Sequence, residues 1–532
     1  MHGGPATASA GPAPLFEGLG KYHRAISTRS PLAQRYFDQG MNFLWGFNLH
    51  EAQRSFEECA KTDPGCAMCE WGAALSLGPH FNVPAIPPRT VAANAHARKA
   101  LELLAGATPV ERGLAEAAAK RYSDPAPDTP EDQKKLDTAY AEAMKALMDE
   151  HPADDDVAAL WCEAMMDLRP WDLWTTDEKP QPGTLEIIST LERVLARDPG
   201  HPGANHYYIH AVEPSPHPEK ALAAAERLKK LDSVIGHLTH MPAHVYELVG
   251  RYDDARAANT RALERDRAYE AAAKPVSPES FYPMYTAHNA QFLSWTSMMQ
   301  GRSADAVRYA RVSVEKMPLE MFEMMPGFDI FLTTPILACA RFGKWDEILA
   351  EPPLPRYFPY VAAIRHYARG LAFAGKGQTP AAITELDSLR VITATIPPEA
   401  TQANNSAQHL LNIAQRSLEG VIALRQGRTD EGIRKLEEAV RAEDQTRYDE
   451  PSDWLLPVRH TLGPALLEAG RAYEAELAYR ADLERNRENG WALLGLAESL
   501  RRQGKKAEAD AAQKRFSKAW KGADVRITAS SY

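Results

Sequence analysis

Apolar and small residues recur along the chain at helical spacing, in stretches such as Ala492–Arg501 and Ala507–Phe516. That period predicts amphipathic helices, and the lack of sustained alternation predicts little β-structure. Between the stretches one short phrase recurs: Gly, a basic residue, two variable positions, an acidic or neutral one, then a small or apolar one. Its copies are GRYDDA (250–255), GRSADA (301–306), GKWDEI (343–348), GRTDEG (427–432), GRAYEA (470–475) and GKKAEA (504–509). Gly supplies the positive-φ residue that ends one helix, and the small residue after it lets the next helix pack back closely. The phrase therefore writes an αα-hairpin six times. The turns are 51, 42, 84, 43 and 34 residues apart, and the longest interval holds a further turn at Gly375-Lys376-Gly377.

An interval of 34 residues, often lengthened, is the period of the tetratricopeptide repeat. With Ala33 as position 1 of a unit, Gly40, Ala52, Phe56 and Pro64 fall at positions 8, 20, 24 and 32. The chain resembles the tetratricopeptide family over about 30–80 and 200–520. The resemblance implies an all-α, right-handed α-solenoid whose concave groove binds the ligand. Residues 1–14 (MHGGPATASAGPAP) read as a disordered, low-complexity segment. Residues 15–200 read as N-terminal hairpins with long loops at 123–135 and 170–184, 201–350 as central hairpins, and 351–532 as C-terminal hairpins of one continuous solenoid. Segment 90–165 is helical by pattern but carries little of the repeat signature.

Composition then narrows the function. The 532 residues are 44% hydrophobic and 25% charged, with a formal net charge of −10, which is ordinary for a folded soluble protein. Lys and Arg are scattered rather than gathered in a stripe, so a nucleic-acid partner is not expected. No apolar run reaches the roughly 18 residues of a membrane span. Phosphate-binding loops, GxGxxG turns and GxSxG elbows are missing, so no nucleotide is expected. Cys66-Ala67-Met68-Cys69 is followed by Glu70 and not His, which excludes the usual covalent haem attachment. Cys59, Cys66 and Cys69 bracket a turn between two helices, where a disulfide would staple the hairpin. The N-terminus reads as the start of a mature exported chain, periplasmic or secreted. The rival reading is a cytoplasmic protein with three buried thiols. Cys162 and Cys339 sit in apolar stretches (ALWCEAMM, ILACARF) and read as core.

The candidate chemistry is a histidine cluster. Of 17 His, eight lie between 201 and 288. His206-Tyr-Tyr-Ile-His210-Ala-Val-Glu213 and His240-Met-Pro-Ala-His244-Val-Tyr-Glu247 both read His-x3-His-x2-Glu and are 34 residues apart, one repeat unit. On a helix, that spacing points two imidazoles and a carboxylate to one face. Counted from Pro202 and Gly236, the two motifs fill positions 5, 9 and 12 of their units, which the tetratricopeptide resemblance implies face the groove. His237 and His288 fall at position 2 on the same face, with Trp295 at position 9 and, counting from Leu456, His460 at position 5. Imidazole with carboxylate is a ligand set for Zn, Fe, Cu or Mn. The metal ligands expected are His206, His210, His240 and His244, with Glu213, Glu247 and His288 as further ligands or supports. Pro242 is expected to interrupt the helix through the second pair.

Two further clusters are candidates for substrate or partner contacts beside His237. YDEPSDWLLPVRH (448–460) carries Trp454, Arg459 and His460, and an inward Arg suits an anionic group. An aromatic set comprises Trp171, Trp174, Phe281, Tyr282, Tyr285 and Trp295. The phrases DPGCAMCEWGAAL, MDLRPWDLW, NHYYIHAVE and HMPAHVYELVGRYDDA resemble those of a broad group of bacterial tetratricopeptide proteins, many of them exported. Two functions follow as expectations. The first is a divalent transition metal held in the groove, where an open coordination position would make a metal-dependent oxidoreductase or hydrolase acting on a small molecule. The second is a metal-free scaffold that binds a peptide or protein in the groove.

Overall fold

The computed structural model describes residues 13–231, 233–273, 282–315, 317 and 319–532. Residues 1–12 of the low-complexity segment and Phe281 of the aromatic set lie outside the described residues. The chain falls into two compact units, Met1–Val245 with Arg261–Tyr285, and Tyr246–Thr260 with Thr286–Tyr532. Both are helical. Apart from two single bridges, extended pairing among the described residues is confined to Thr401–Gln402 against Asn405–Ser406. No helix among the described residues is long and apolar enough to cross a membrane.

In the first unit each helix packs on the next in sequence, from Pro31–Trp45 and Leu49–Thr62 through Ala67–Leu77, Pro87–Glu102, Pro109–Arg121, Pro130–Glu150, Asp155–Asp167 and Thr184–Arg197 to Pro202–Val212. The second unit repeats this from Thr334–Arg341 to Lys506–Ala519. Neighbour-on-neighbour packing is the all-α solenoid arrangement of tetratricopeptide-type hairpins. All six recurrent turns end as their sequence predicts: Gly250, Gly301, Gly343, Gly427, Gly470 and Gly504 hold φ between 61° and 77°. The extra turn does the same at Gly377, φ 72°.

One packing device fixes hairpin to hairpin. Phe56, from the second helix of the first pair, presses against Gly40 on the helix before it and Gly72 on the helix after it. A Cβ at Gly40 would stand 2.6 Å from Phe56 Cε1. In the second unit the Tyr479 ring fills the same place between Gly463 and Gly495. Small residues at these crossings let the helices approach until the ring is fully enclosed, and both rings are 0% exposed.

One of the two expected loops departs from the pattern's first reading. The expected loop at 123–135 stops at Thr129, whose side chain accepts from Asp132 N at 3.1 Å, and the helix Pro130–Glu150 begins there. Pro at the first helical position and Glu131 and Asp132 in the first turn favour that start. The segment 170–184 stays irregular until Thr184 starts a helix. Cys59 and Cys69 form a disulfide, with Cα atoms 5.4 Å apart, between the helices Leu49–Thr62 and Ala67–Leu77. Cys66 is a buried free thiol that burial pushes up to about 11. Cys162 and Cys339 are buried free thiols in their helices.

The Phe56 wedge makes a direct prediction. Gly72→Ala places a methyl into the ring, so the variant should lose about 1–3 kcal/mol of stability. Thermal unfolding followed by circular dichroism measures it, and an unchanged Tm would show that the crossing has slack.

Candidate metal centre

The first unit brings the two histidine motifs together through close backbone approach. The helix Pro202–Val212 starts at Pro202, with His201 as its N-cap accepting from Ala204 N at 3.1 Å. Gly203, next in line, leaves room for the Trp45 ring to lie directly on the helix, and a Cβ there would meet that ring. Gly46 does the same opposite Ile235, whose Cγ2 would be 2.6 Å from an added Cβ. The second motif is split as Pro242 requires: one helix runs Gly236–His240 and another starts at Pro242.

Five buried imidazoles, of His206, His237, His240, His244 and His210, form a closed circuit. Successive ring centroids are 4.9 Å (206–237), 5.7 Å (237–240), 4.5 Å (240–244), 5.6 Å (244–210) and 4.9 Å (210–206) apart. The ligand nitrogens of His206, His210 and His237 lie within 4.8 Å of one another, as do the ligand atoms of His210, Glu213 and His244. These groups could hold a metal ion.

Hydrogen bonds decide which nitrogen each ring offers. His206 Nδ1 lies 2.6 Å from the Trp45 carbonyl oxygen. His210 Nδ1 lies 2.8 Å from Glu213 Oε1, and His244 Nδ1 lies 2.9 Å from Glu213 Oε2. A carbonyl and a carboxylate can only accept, so all three rings carry their proton on Nδ1 and present the Nε2 lone pair. Each ligand nitrogen is thus backed by an acceptor on the far side of its ring, the arrangement that orients metal-binding histidines. His210 Nε2 and His237 Nδ1 are buried without a hydrogen-bond partner. His206 Nε2 faces His237 Nε2 at 3.1 Å, and His240 Nε2 faces His244 Nε2 at 2.5 Å. Two imidazole nitrogens at such distances need a proton between them.

Burial favours the neutral form of three of these rings. Burial, with His210 beside it, holds His206 well below the usual histidine range, and burial with His206 and His240 does so for His237. Burial lowers His244 as well, against the pull of Glu213. Glu213 answers in the opposite sense. Its own burial raises it, but His210 and His244 outweigh that and hold its carboxyl well below the carboxylate range.

An aromatic shell encloses the circuit. Phe47, in the left-handed region at φ 54°, lies 4.5 Å from the His206 ring and 4.5 Å from His80. Phe81 stacks on Trp171 at 5.0 Å, and both rings reach His210, at 5.1 and 5.6 Å. Trp174 Nε1 donates to Ala211 O at 2.9 Å, and Tyr285 lies 4.6 Å from His237. Phe47, His80, Phe81 and the Trp45 carbonyl were missed by sequence reasoning, because they come from the turn of the first hairpin and from the segment after the helix Ala67–Leu77. That hairpin reaches the His206 helix only in the folded unit. His80 is buried, and burial with Arg89 and Arg121 brings it down to about 3.

The other expected residues belong to the second unit. Glu247 accepts from Trp295 Nε1 at 3.0 Å, and burial raises its carboxyl to about 7. His288 lies on the helix Tyr282–Met299, with Phe292 at 5.8 Å. Arg459 is committed to a fork on Asp444, both bonds 2.7 Å long. His460 bonds Asp482 at 2.8 Å and Arg341 at 2.7 Å. Trp454 is buried against Tyr367 at 5.4 Å.

No protein-family model and no curated protein matches the chain. Among solved structures it is similar to a human IFIT1 dimer with m7Gppp-AAAA, at 12% identity over 93% of this chain and 91% of that one, TM-score 0.34. It is also similar to Cut9 in the APC/C hetero-tetramer Cut9-Hcn1, at 13% identity over 92% and 88%, TM-score 0.28. Yeast Tom70 is similar at 11% identity over 91% and 89%, TM-score 0.27.

Glu443, beside Arg459, gives a pH prediction. Burial pushes its carboxyl up to about 8, although Val458 N donates to it at 3.0 Å. In the unfolded chain the group titrates near about 4.3. Between those values the folded state holds a proton that the unfolded state has lost, so its contribution to stability falls as pH rises and levels off above about 8. Glu443→Gln should remove this slope. Its Tm relative to the parent should climb from pH 5 to pH 8, and a constant difference would contradict the assignment.

Proposed function

We propose that this helical-repeat protein binds a divalent transition metal in its first unit, through Nε2 of His206, His210 and His244 with His237 and His240 completing the set. The observation that carries the proposal is the triple backing of Nδ1 by Trp45 O and the two oxygens of Glu213, which leaves three Nε2 lone pairs turned away from their anchors. Glu213 then acts as the support of two ligands, and its negative charge offsets the ion. Imidazole donors suit Zn, Cu or Fe better than Mn, which prefers oxygen ligands. With a coordination position left open, such an ion supplies Lewis acidity toward water or a small substrate.

The peptide-binding alternative draws on the same histidines, and their burial counts against it. All five are between 0% and 3% exposed, so a peptide laid on the surface would not touch them. A small molecule reaching past the Phe81–Trp171 pair fits this burial better.

Elemental analysis of tag-free protein tests the reading. One or more equivalents of Zn, Cu or Fe are expected, lost in the His206→Ala/His240→Ala double variant. Metal content that is sub-stoichiometric and unchanged by that substitution would refute the proposal. Glu213→Gln keeps every ligating ring but loses the anion, and should weaken metal affinity about 10–100-fold in a competitive chelator titration.

A further inference from the structure

The second unit contains a cavity of about 550 Å³ that is remote in sequence from every histidine of the metal centre. Its floor is aliphatic, with Leu332, Ile336, Val361 and Ile392 among its lining. One wall is the segment Pro352-Pro353-Leu354-Pro355. Three prolines in four positions hold fixed φ angles, so the wall is preformed rather than collapsible. The size falls within the range of sites that take one small ligand.

Three guanidiniums line this apolar space, and their partners differ. Arg356 is bonded to Glu320 and Glu323 at 2.6 Å each, and Arg311 reaches Glu351 at 3.3 Å. Among the described residues Arg365 forms no ion pair or hydrogen bond with a carboxylate side chain, although Glu385 and Glu351 act on its charge. Its Nη2 donates to the Glu351 carbonyl oxygen at 2.8 Å, while its Nε is buried without any hydrogen-bond acceptor. His366 is already held by Glu385 at 2.6 Å, and Glu315 is solvent-exposed on the lining. A guanidinium on the lining that lacks an ion-paired carboxylate is matched best by a ligand carboxylate, which fits the guanidinium fork.

We propose that this cavity binds an amphipathic monocarboxylate of the fatty-acid class, its tail on the Leu332–Ile336–Ile392 floor and its carboxylate on Arg365. Charge and shape act together here: an aliphatic floor alone would accept any apolar chain, and the unmatched guanidinium selects the anionic head.

Titration of the full chain with dodecanoate, dodecan-1-ol and dodecyltrimethylammonium tests this. Dodecanoate should saturate one site, with the alcohol about tenfold weaker and the cation weaker still. Arg365→Leu should bring dodecanoate down to the affinity of the alcohol and leave the alcohol unchanged. Ile336→Trp, which fills the floor, should abolish binding of both. Circular dichroism and Tm of each variant confirm that it is folded. No saturable binding by the parent protein, or a carboxylate preference that survives Arg365→Leu, overturns the proposal. So does equal binding of all three probes, the behaviour of a bare apolar surface suited to a protein segment.

Discussion

Close approach of backbones, allowed by glycine at the helix crossings, is the constraint on which both packing and the candidate centre depend. Where Gly40 and Gly72 face Phe56, and Gly463 and Gly495 face Tyr479, the missing Cβ lets one ring lock two hairpins. The same economy operates at Gly46 and Gly203. There it brings the end of the first helix onto the His206 helix, so that the Trp45 carbonyl lies within hydrogen-bonding reach of an imidazole 161 residues away. With bulkier residues at these positions the helices would separate by roughly the width of a methyl group, and a hydrogen bond of 2.6 Å would be lost.

The imidazole circuit reverses the usual order of cause in a protein core. Polar rings are normally buried only when their hydrogen bonds are complete. Here His210 Nε2 and His237 Nδ1 remain without partners inside a shell of Phe47, Phe81 and Trp171. Such a cost is tolerated where a site is organised for something that fills it. Glu213 makes this specific, since one buried carboxylate between two imidazoles aims both rings.

Much of this was legible in the sequence, and the reasons are local. The turn glycines announce themselves, because only a residue free to adopt positive φ ends a helix and starts the next so tightly. The His-x3-His-x2-Glu spacing likewise places side chains on one face whatever the tertiary context. Pro242 marked the break in the second motif for an equally local reason. What could not be read was long-range. Nothing near residues 45–47 or 80–81 hints that Phe47, His80 and Phe81 cover the histidines, since that depends on the first hairpin meeting a helix some 160 residues later in the chain. The loop at 123–135 was overestimated because Pro and Asp signal a helix start as readily as a turn, and only Thr129 as N-cap distinguishes the two.

The two copies of the histidine motif end in glutamates with opposite fates. Glu213 is held as an anion by two imidazoles, whereas Glu247 sits against an indole N–H and carries its proton up to about neutrality. The same spacing thus serves two ends: one carboxylate orients two rings, while the other receives an indole N–H and exchanges its proton near neutrality.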